Sequence, residues 1–158
     1  DLNQDNTYVR DTLKKWVKDT DQEYNFDGIR IDTVPHVKVQ FWKEYAEAAG
    51  VYQVGEAFNG DIGYVANYQN NALDGMLNYP LYFTIKDVFC YGKSMYEIRT
   101  TIDNENKIFK DVNALGLFVD NHDNARFLNI KYSHTLLKSS LAFITFAQGI
   151  PITYYGTE

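Results

Sequence analysis

Short apolar runs alternate with amphipathic helical stretches along this chain, and three of the runs close on a carboxylate: Asp32 in GIRIDTV, Glu56 in YQVGEAF and Asp123 in GLFVDNHD. Strand–helix alternation is the pattern of a parallel sheet, whose strands need crossover connections, usually helices. All strand C-termini of such a sheet share one face, and functional groups collect there. The pattern therefore predicts three gathered acids, an arrangement suited to acid–base and nucleophilic work on a glycosidic bond.

The element reading follows from periodicity. Val9, Leu13, Trp16 and Val17 recur at helical spacing and predict a helix over 7–18. A strand over 28–34 follows, then a helix marked by Phe41, Trp42, Tyr45 and Ala49 and stopped by Gly50. Further strands are expected over 51–58, 73–79, 115–120 and 151–155, with a short helix or turn over 64–71. Helices are expected from Pro80 to about Phe89, over 95–109 and over 136–146. Five parallel strands are too few to close an eight-stranded barrel, so open edges are expected, and with them self-association or a need for a missing barrel half.

Bulk properties narrow the function. A net charge of −6 argues against nucleic acid and anionic membranes, both of which favour basic patches. The most apolar stretch, 136–152, is too short to cross a bilayer. The single cysteine, Cys90, excludes an intramolecular disulfide and reads as a small buried hydrophobe. Aromatic residues make up 16% of the chain; most suit core packing, and a minority suit stacking against sugar rings. Neither end reads as a natural terminus.

Each acid has a bland reading beside the functional one. Arg30 and Asp32 are two residues apart on one strand and point the same way, so the guanidinium would hold the carboxylate ionised, as a nucleophile requires. Asp32 alone could equally cap the following loop. Glu56, flanked by Val54 and Phe58, suits a general acid, or else a partly exposed ion pair. His122 and Asp123 suit contacts to substrate hydroxyls, or else Asp123 forms an Asx turn. His36 reads as a loop histidine, with no partner at transition-metal spacing. The joint pattern favours the functional reading of the three acids.

At these residues the sequence resembles the α-amylase family of retaining glycoside hydrolases, most closely the fungal-type members. DGIRIDTVPHV is similar to the family's fourth-strand motif, GEAF to the fifth and FVDNHDN to the seventh; ALDGMLNYPLY and GIPITYYGTE resemble the sixth and eighth strand regions. The resemblance implies an α/β fold, a parallel (β/α) barrel of the TIM type, with this chain supplying strands four to eight. The first three strands, a calcium-binding loop domain and a C-terminal β-sandwich are then expected outside residues 1–158. It implies Asp32 as nucleophile, Glu56 as general acid/base and Asp123 as transition-state stabiliser. Arg30 would orient Asp32, His122 would bind the sugar at the scissile site, and Phe58 and Gly60 would line the groove. His36 would also face the groove and give its main-chain carbonyl to a structural Ca2+. The implied activity is endo-hydrolysis of α-1,4-glucosidic bonds in starch, glycogen and related glucans, with an extracellular location.

The chain departs from the pattern in two places. Pro35 stands where amylases of the family carry Lys, which removes a donor to the leaving-group sugar, and the fungal-type disulfide after the fifth strand has no cysteines here. An α-glucosidase or transglycosylase activity, an inactive fragment and a non-catalytic binding homologue remain as alternatives. IDTVPHV keeps the histidine typical of amylases, and all three acids are present.

Overall fold

The computed structural model describes residues 2–158. Five strands and seven α-helices alternate along it: α1 (Thr7–Tyr24), β1 (Gly28–Ile31), α2 (Val39–Ala49), β2 (Tyr52–Gly55), α3 (Ile62–Asn71), β3 (Gly75–Met76), α4 (Tyr79–Phe89), α5 (Tyr96–Ile108), β4 (Gly116–Leu117), α6 (Phe127–Ile130), α7 (His134–Phe146) and β5 (Ile150–Pro151). β1, β2 and β3 pair in parallel, as do β4 and β5. A parallel bridge between Leu77 and Gly116 joins the two groups, with the Asn78 N–H donating to the Gly116 carbonyl at 2.8 Å. The five strands thus lie side by side in chain order, the neighbour-to-neighbour winding of a parallel barrel wall.

The strands are shorter than the apolar runs that predicted them, and for β1 and β3 the early ending has a local cause. β1 stops at Ile31 rather than at residue 34 because Thr33 turns into the left-handed region (φ 52°). The chain then enters a 3-10 turn, Val34–His36, whose first turn holds Pro35. The run at 73–79 yields only β3, because the Asn78 side chain caps α4 through the Leu81 N–H at 2.9 Å and draws Tyr79 into the helix. The fifth strand is Ile150–Pro151 rather than 151–155. β2 ends at Gly55 and β4 at Leu117, before the expected limits of 58 and 120.

Helix ends also moved. α1 continues past residue 18 to Tyr24, because its polar last turns carry no apolar periodicity yet remain helical until Asn25 adopts φ 54° and donates to the Asp21 carbonyl. α7 begins at His134, two residues early, with the Ser133 hydroxyl accepting from the Leu136 N–H. α6 had no periodic signal. No helix among the described residues is long and apolar enough to cross a membrane.

Apolar side chains bury on both faces of the strands. Ile31, Val34, Phe41, Trp42, Tyr45, Val65 and Met76 form one core against α1–α3, while Leu81, Ile85, Ile98, Leu117, Phe127 and Ile144 form a second under α4–α7. A third, aromatic cluster joins Leu77, Tyr79, Tyr82 and Phe118, with Tyr82 stacked on Phe118 at 5.0 Å. Cys90 is buried and free, as expected. Gln69 ties α3 to the loop before β4, donating to the Asp74 and Asp111 carbonyls at 3.0 and 2.7 Å and accepting from the Asp111 N–H at 3.1 Å.

One buried acid sits outside this bonding. Glu105 on α5 is 3% exposed, and its Oε1 has no hydrogen-bond partner. It shares a cavity of about 130 Å³ with Leu81, Ile102, Val112 and Phe143. Burial raises its carboxyl to about 7, and the Asn78 amide offsets only part of that. A pKa raised in the fold favours folding at low pH, and that contribution is lost as pH rises from about 4.5 to about 7. Glu105→Gln should therefore match the parent near pH 4 and exceed it near pH 8 by up to about 3 kcal/mol. Urea unfolding at the two pH values measures the difference, and an equal gap at both would contradict the assignment.

Candidate active site

The parallel register sets the site. Ile31 on β1 pairs with Gly55 on β2, so the next residues, Asp32 and Glu56, leave neighbouring strands side by side. The ladder continues one step beyond the strands: the Glu56 N–H donates to the Ile31 carbonyl at 2.8 Å, and the Val34 N–H to the Glu56 carbonyl at 3.0 Å. Gly55 precedes Glu56 for a steric reason. A Cβ there would lie 2.5 Å from Leu73 Cδ1 and 2.9 Å from Met76 Sδ.

The two carboxylates occupy different surroundings. The Asp32 side chain is 66% exposed and both oxygens are engaged: Arg30 Nη1 donates to Oδ1 at 2.8 Å, and the Thr33 hydroxyl to Oδ2 at 2.8 Å. The Thr33 hydroxyl and then Arg30 hold its carboxyl below the usual range, with His122 adding to the effect. Arg30 alone was expected to do this; the Thr33 hydroxyl shares the role. Glu56 is 7% exposed and accepts from the Thr33 N–H through Oε2 at 3.0 Å. No ion pair reaches it among the described residues, so the exposed ion-paired reading of Glu56 fails.

The loop after β4 brings in the third acid. His122 Nε2 lies 3.2 Å from Asp123 Oδ2, both side chains half exposed. The turn is held by Asn121 rather than by Asp123, since Asn121 Oδ1 accepts from the Asp123 N–H at 3.1 Å and from Asn124 Nδ2 at 2.7 Å. Asn121 Nδ2 donates in turn to the Tyr79 hydroxyl at 2.9 Å. Tyr79 is fully buried. Burial raises its phenol, and the nearby carboxylates Glu56 and Asp123 push it the same way.

The aromatic side chains beside these acids come from α4 and the loop after β2. Phe58 is 55% exposed, with its ring 4.8 Å from Tyr79 and 5.7 Å from Phe83. A Cβ at Gly60 would come within 3.1 Å of the Phe83 ring. His36 is exposed in the turn after β1, its N–H donating to the Thr33 carbonyl at 3.1 Å, while Trp42 Nε1 pins that turn through the Val34 carbonyl at 2.8 Å. Arg30, Val54, Leu77, Phe118, Asn121 and His122 line a cleft of about 290 Å³ beside the acids. A larger hollow of about 690 Å³ lies at the opposite ends of the strands, against Tyr52, Asp74 and Ala114, away from this chemistry.

Sequence reasoning overlooked Thr33, Tyr79 and Asp120. Asp120 is buried, accepting from the Thr157 hydroxyl at 2.9 and 3.1 Å and from the Phe127 N–H at 3.1 Å. Arg126 Nη1 donates to the Thr157 hydroxyl at 2.8 Å and to the Tyr155 carbonyl, with its guanidinium 4.2 Å from the Tyr154 ring. These bonds tie the Asn121–Asp123 corner to the segment after β5. Only the acidic residue at the end of an apolar run signalled Asp120 beforehand.

The profile of the alpha amylase catalytic domain matches residues 1–158. The chain belongs to the alpha-amylase family. It is 42% identical to Alpha-amylase 1 of Lipomyces kononenkoae over 159 aligned positions, covering all of this chain and 25% of that protein. The solved alpha-amylase of Malbranchea cinnamomea superposes with a TM-score of 0.96 at 36% identity, over 100% of this chain and 34% of that one. The alpha-amylase of Geobacillus thermoleovorans, solved in complex with acarbose, gives 0.94 at 32% identity over 100% and 38%. The chain therefore spans about a quarter to two fifths of these relatives, and its fold is the TIM-type parallel (β/α) barrel in part.

The Tyr79 hydroxyl is the acceptor that fixes Asn121, so Tyr79→Phe should leave a half-buried amide without that partner. The expected loss is about 1–2 kcal/mol of stability by denaturant unfolding. An unchanged midpoint would show that Asn121 is held without the phenol.

Proposed function

We propose that this chain carries the catalytic acids of an enzyme that hydrolyses α-1,4-glucosidic bonds in starch, glycogen and related glucans by double displacement. The observation that carries the reading is the pairing of an exposed Asp32, held ionised by Thr33 and Arg30, with a buried Glu56 on the adjacent strand. Glu56 protonates the glycosidic oxygen while Asp32 attacks the anomeric carbon, breaking the glycosidic bond and forming a glycosyl–enzyme ester. Glu56 then takes a proton from water, which attacks the same carbon and releases Asp32 with configuration retained. A retaining pair of this kind works at a separation of about 5–5.5 Å.

Asp123 stabilises the oxocarbenium-like sugar through hydroxyl contacts that strengthen in the transition state. His122 binds the sugar at the scissile bond and Arg30 orients Asp32. Phe58 and Gly60 line the groove beyond it. The exposed Phe58 ring, backed by Tyr79 and Phe83, supports a stacking role. Acarbose in the Geobacillus thermoleovorans structure supports an oligosaccharide ligand for this groove.

In this reading the chain provides strands four to eight of an eight-stranded barrel, and the groove is completed by chain outside residues 1–158. The open edges of β1 and β5 support that, since a closed barrel has none. They also support self-association of the piece on its own. Calcium enters only through the His36 carbonyl. No backbone amide among the described residues donates to that oxygen, which suits a hard cation. One carbonyl is far short of the 6–8 oxygens calcium takes, and no group of three or more His, Cys, Asp or Glu among the described residues could hold a metal. His36 would therefore contribute one ligand to a shared structural site. A polymeric glucan substrate suits an extracellular location.

Reducing-end release from soluble starch by the parent and by Glu56→Gln tests the function. Loss of at least about a hundredfold in the variant is expected, with its circular dichroism unchanged. Equal, measurable rates in the two proteins would overturn the assignment of Glu56.

A further inference from the structure

Between the two carboxylates stands Thr33, a residue that takes no part in the bond-making steps. Its N–H donates to Glu56 Oε2 at 3.0 Å and its hydroxyl to Asp32 Oδ2 at 2.8 Å. One residue thus holds an oxygen of each acid. It does so in the left-handed region, φ 52° and ψ 43°. That conformation is costly for a β-branched side chain; the other non-glycine residue at positive φ among those described is Asn25, of a type that tolerates it.

Strain of this kind persists where the surroundings over-determine it, and it clusters at functional sites. Here the ladder bonds of Glu56 to Ile31 and Val34 fix one side of the turn. The His36 N–H to the Thr33 carbonyl at 3.1 Å, and Trp42 Nε1 to the Val34 carbonyl at 2.8 Å, fix the other. No simpler packing role accounts for a threonine that spends both of its donors on the two acids.

We propose that Thr33 is a positioning residue that sets the spacing and orientation of the catalytic pair, its hydroxyl holding one oxygen of Asp32 and its amide one oxygen of Glu56. This rests on the assignment of Asp32 as nucleophile and Glu56 as acid/base. The charged and titratable groups acting on Asp32 are Arg30 on β1 and His122 on the loop after β4, while Glu56 leaves the end of the adjacent β2. The Thr33 hydroxyl bond to Oδ2 favours the Asp32 anion alongside Arg30, with His122 adding to the effect. Double displacement needs one acid unprotonated and the other protonated at the same pH, and a donor dedicated to the nucleophile serves that separation.

The test uses Thr33→Val, which keeps the branched shape without the donor, and Thr33→Ser, which restores the donor. The titration of Asp32 is followed by NMR of carboxyl-labelled aspartate in each protein. In Thr33→Val the Asp32 midpoint should rise, and in Thr33→Ser it should return toward the parent. The kcat/KM on a maltooligosaccharide should fall about tenfold in Thr33→Val, with KM little changed and the acid limb of the pH profile moved upward. An Asp32 midpoint identical in parent and Thr33→Val overturns the proposal. Thr33→Ala gives the same reading if the valine variant does not fold. A raised Asp32 midpoint with no hydrolysis by any of the proteins, parent included, each carrying the chain that completes the groove, supports the role of Thr33 and overturns the glucan-hydrolysing assignment instead.

Discussion

The parallel register of β1 on β2 is the constraint on which the rest of the site depends. Pairing Ile31 with Gly55 sends Asp32 and Glu56 off the ends of adjacent strands together. A slip of one residue would turn one whole set of side chains to the opposite face. The register is pinned from the outside. Ile31 and Val34 bury in the core with Phe41 and Trp42, while the absent side chain of Gly55 leaves room for Leu73 and Met76. Packing on the helix side of the sheet thereby decides the geometry of the acids at its end.

With position settled by the ladder, environment separates the two acids. Asp32 is open to solvent, and both of its oxygens are bonded to donors that favour the anion. Glu56, one strand away, is buried with a single backbone donor on Oε2. The third acid arrives by a different device, a side-chain network running from Tyr79 through Asn121 to the Asp123 amide. Asp120, Thr157 and Arg126 anchor the same loop from below. The site is thus assembled from two strand ends and one cross-braced loop.

Much of this was legible in the sequence because periodicity and strand-end acids are local signals. The order of strands and helices, the exit of Asp32 and Glu56 from adjacent strand ends, and the Arg30–Asp32 contact could be read from spacing. Strand ends could not. An apolar run such as 73–79 looks continuous, yet a three-dimensional cap at Asn78 diverts Tyr79 into a helix. Thr33 escaped notice because nothing in IDTV announces a positive φ, which depends on bonds to Glu56 twenty-three residues away. Tyr79 escaped because its partners, Asn121 and Asn124, come from a distant loop. Residue type alone does not separate core from surface aromatics, with Phe118 buried and Phe58 exposed.

In the proposed mechanism Asp32, oriented by Arg30 and Thr33, forms a covalent bond to the sugar. Incubation with a fluorinated maltosyl fluoride, which slows breakdown of a glycosyl–enzyme, followed by proteolysis and mass spectrometry of the peptides, tests it directly. A single maltosyl adduct on the peptide containing Asp32 is expected. An adduct on Glu56 or Asp123, or turnover of the reagent with no adduct at Asp32, would contradict it.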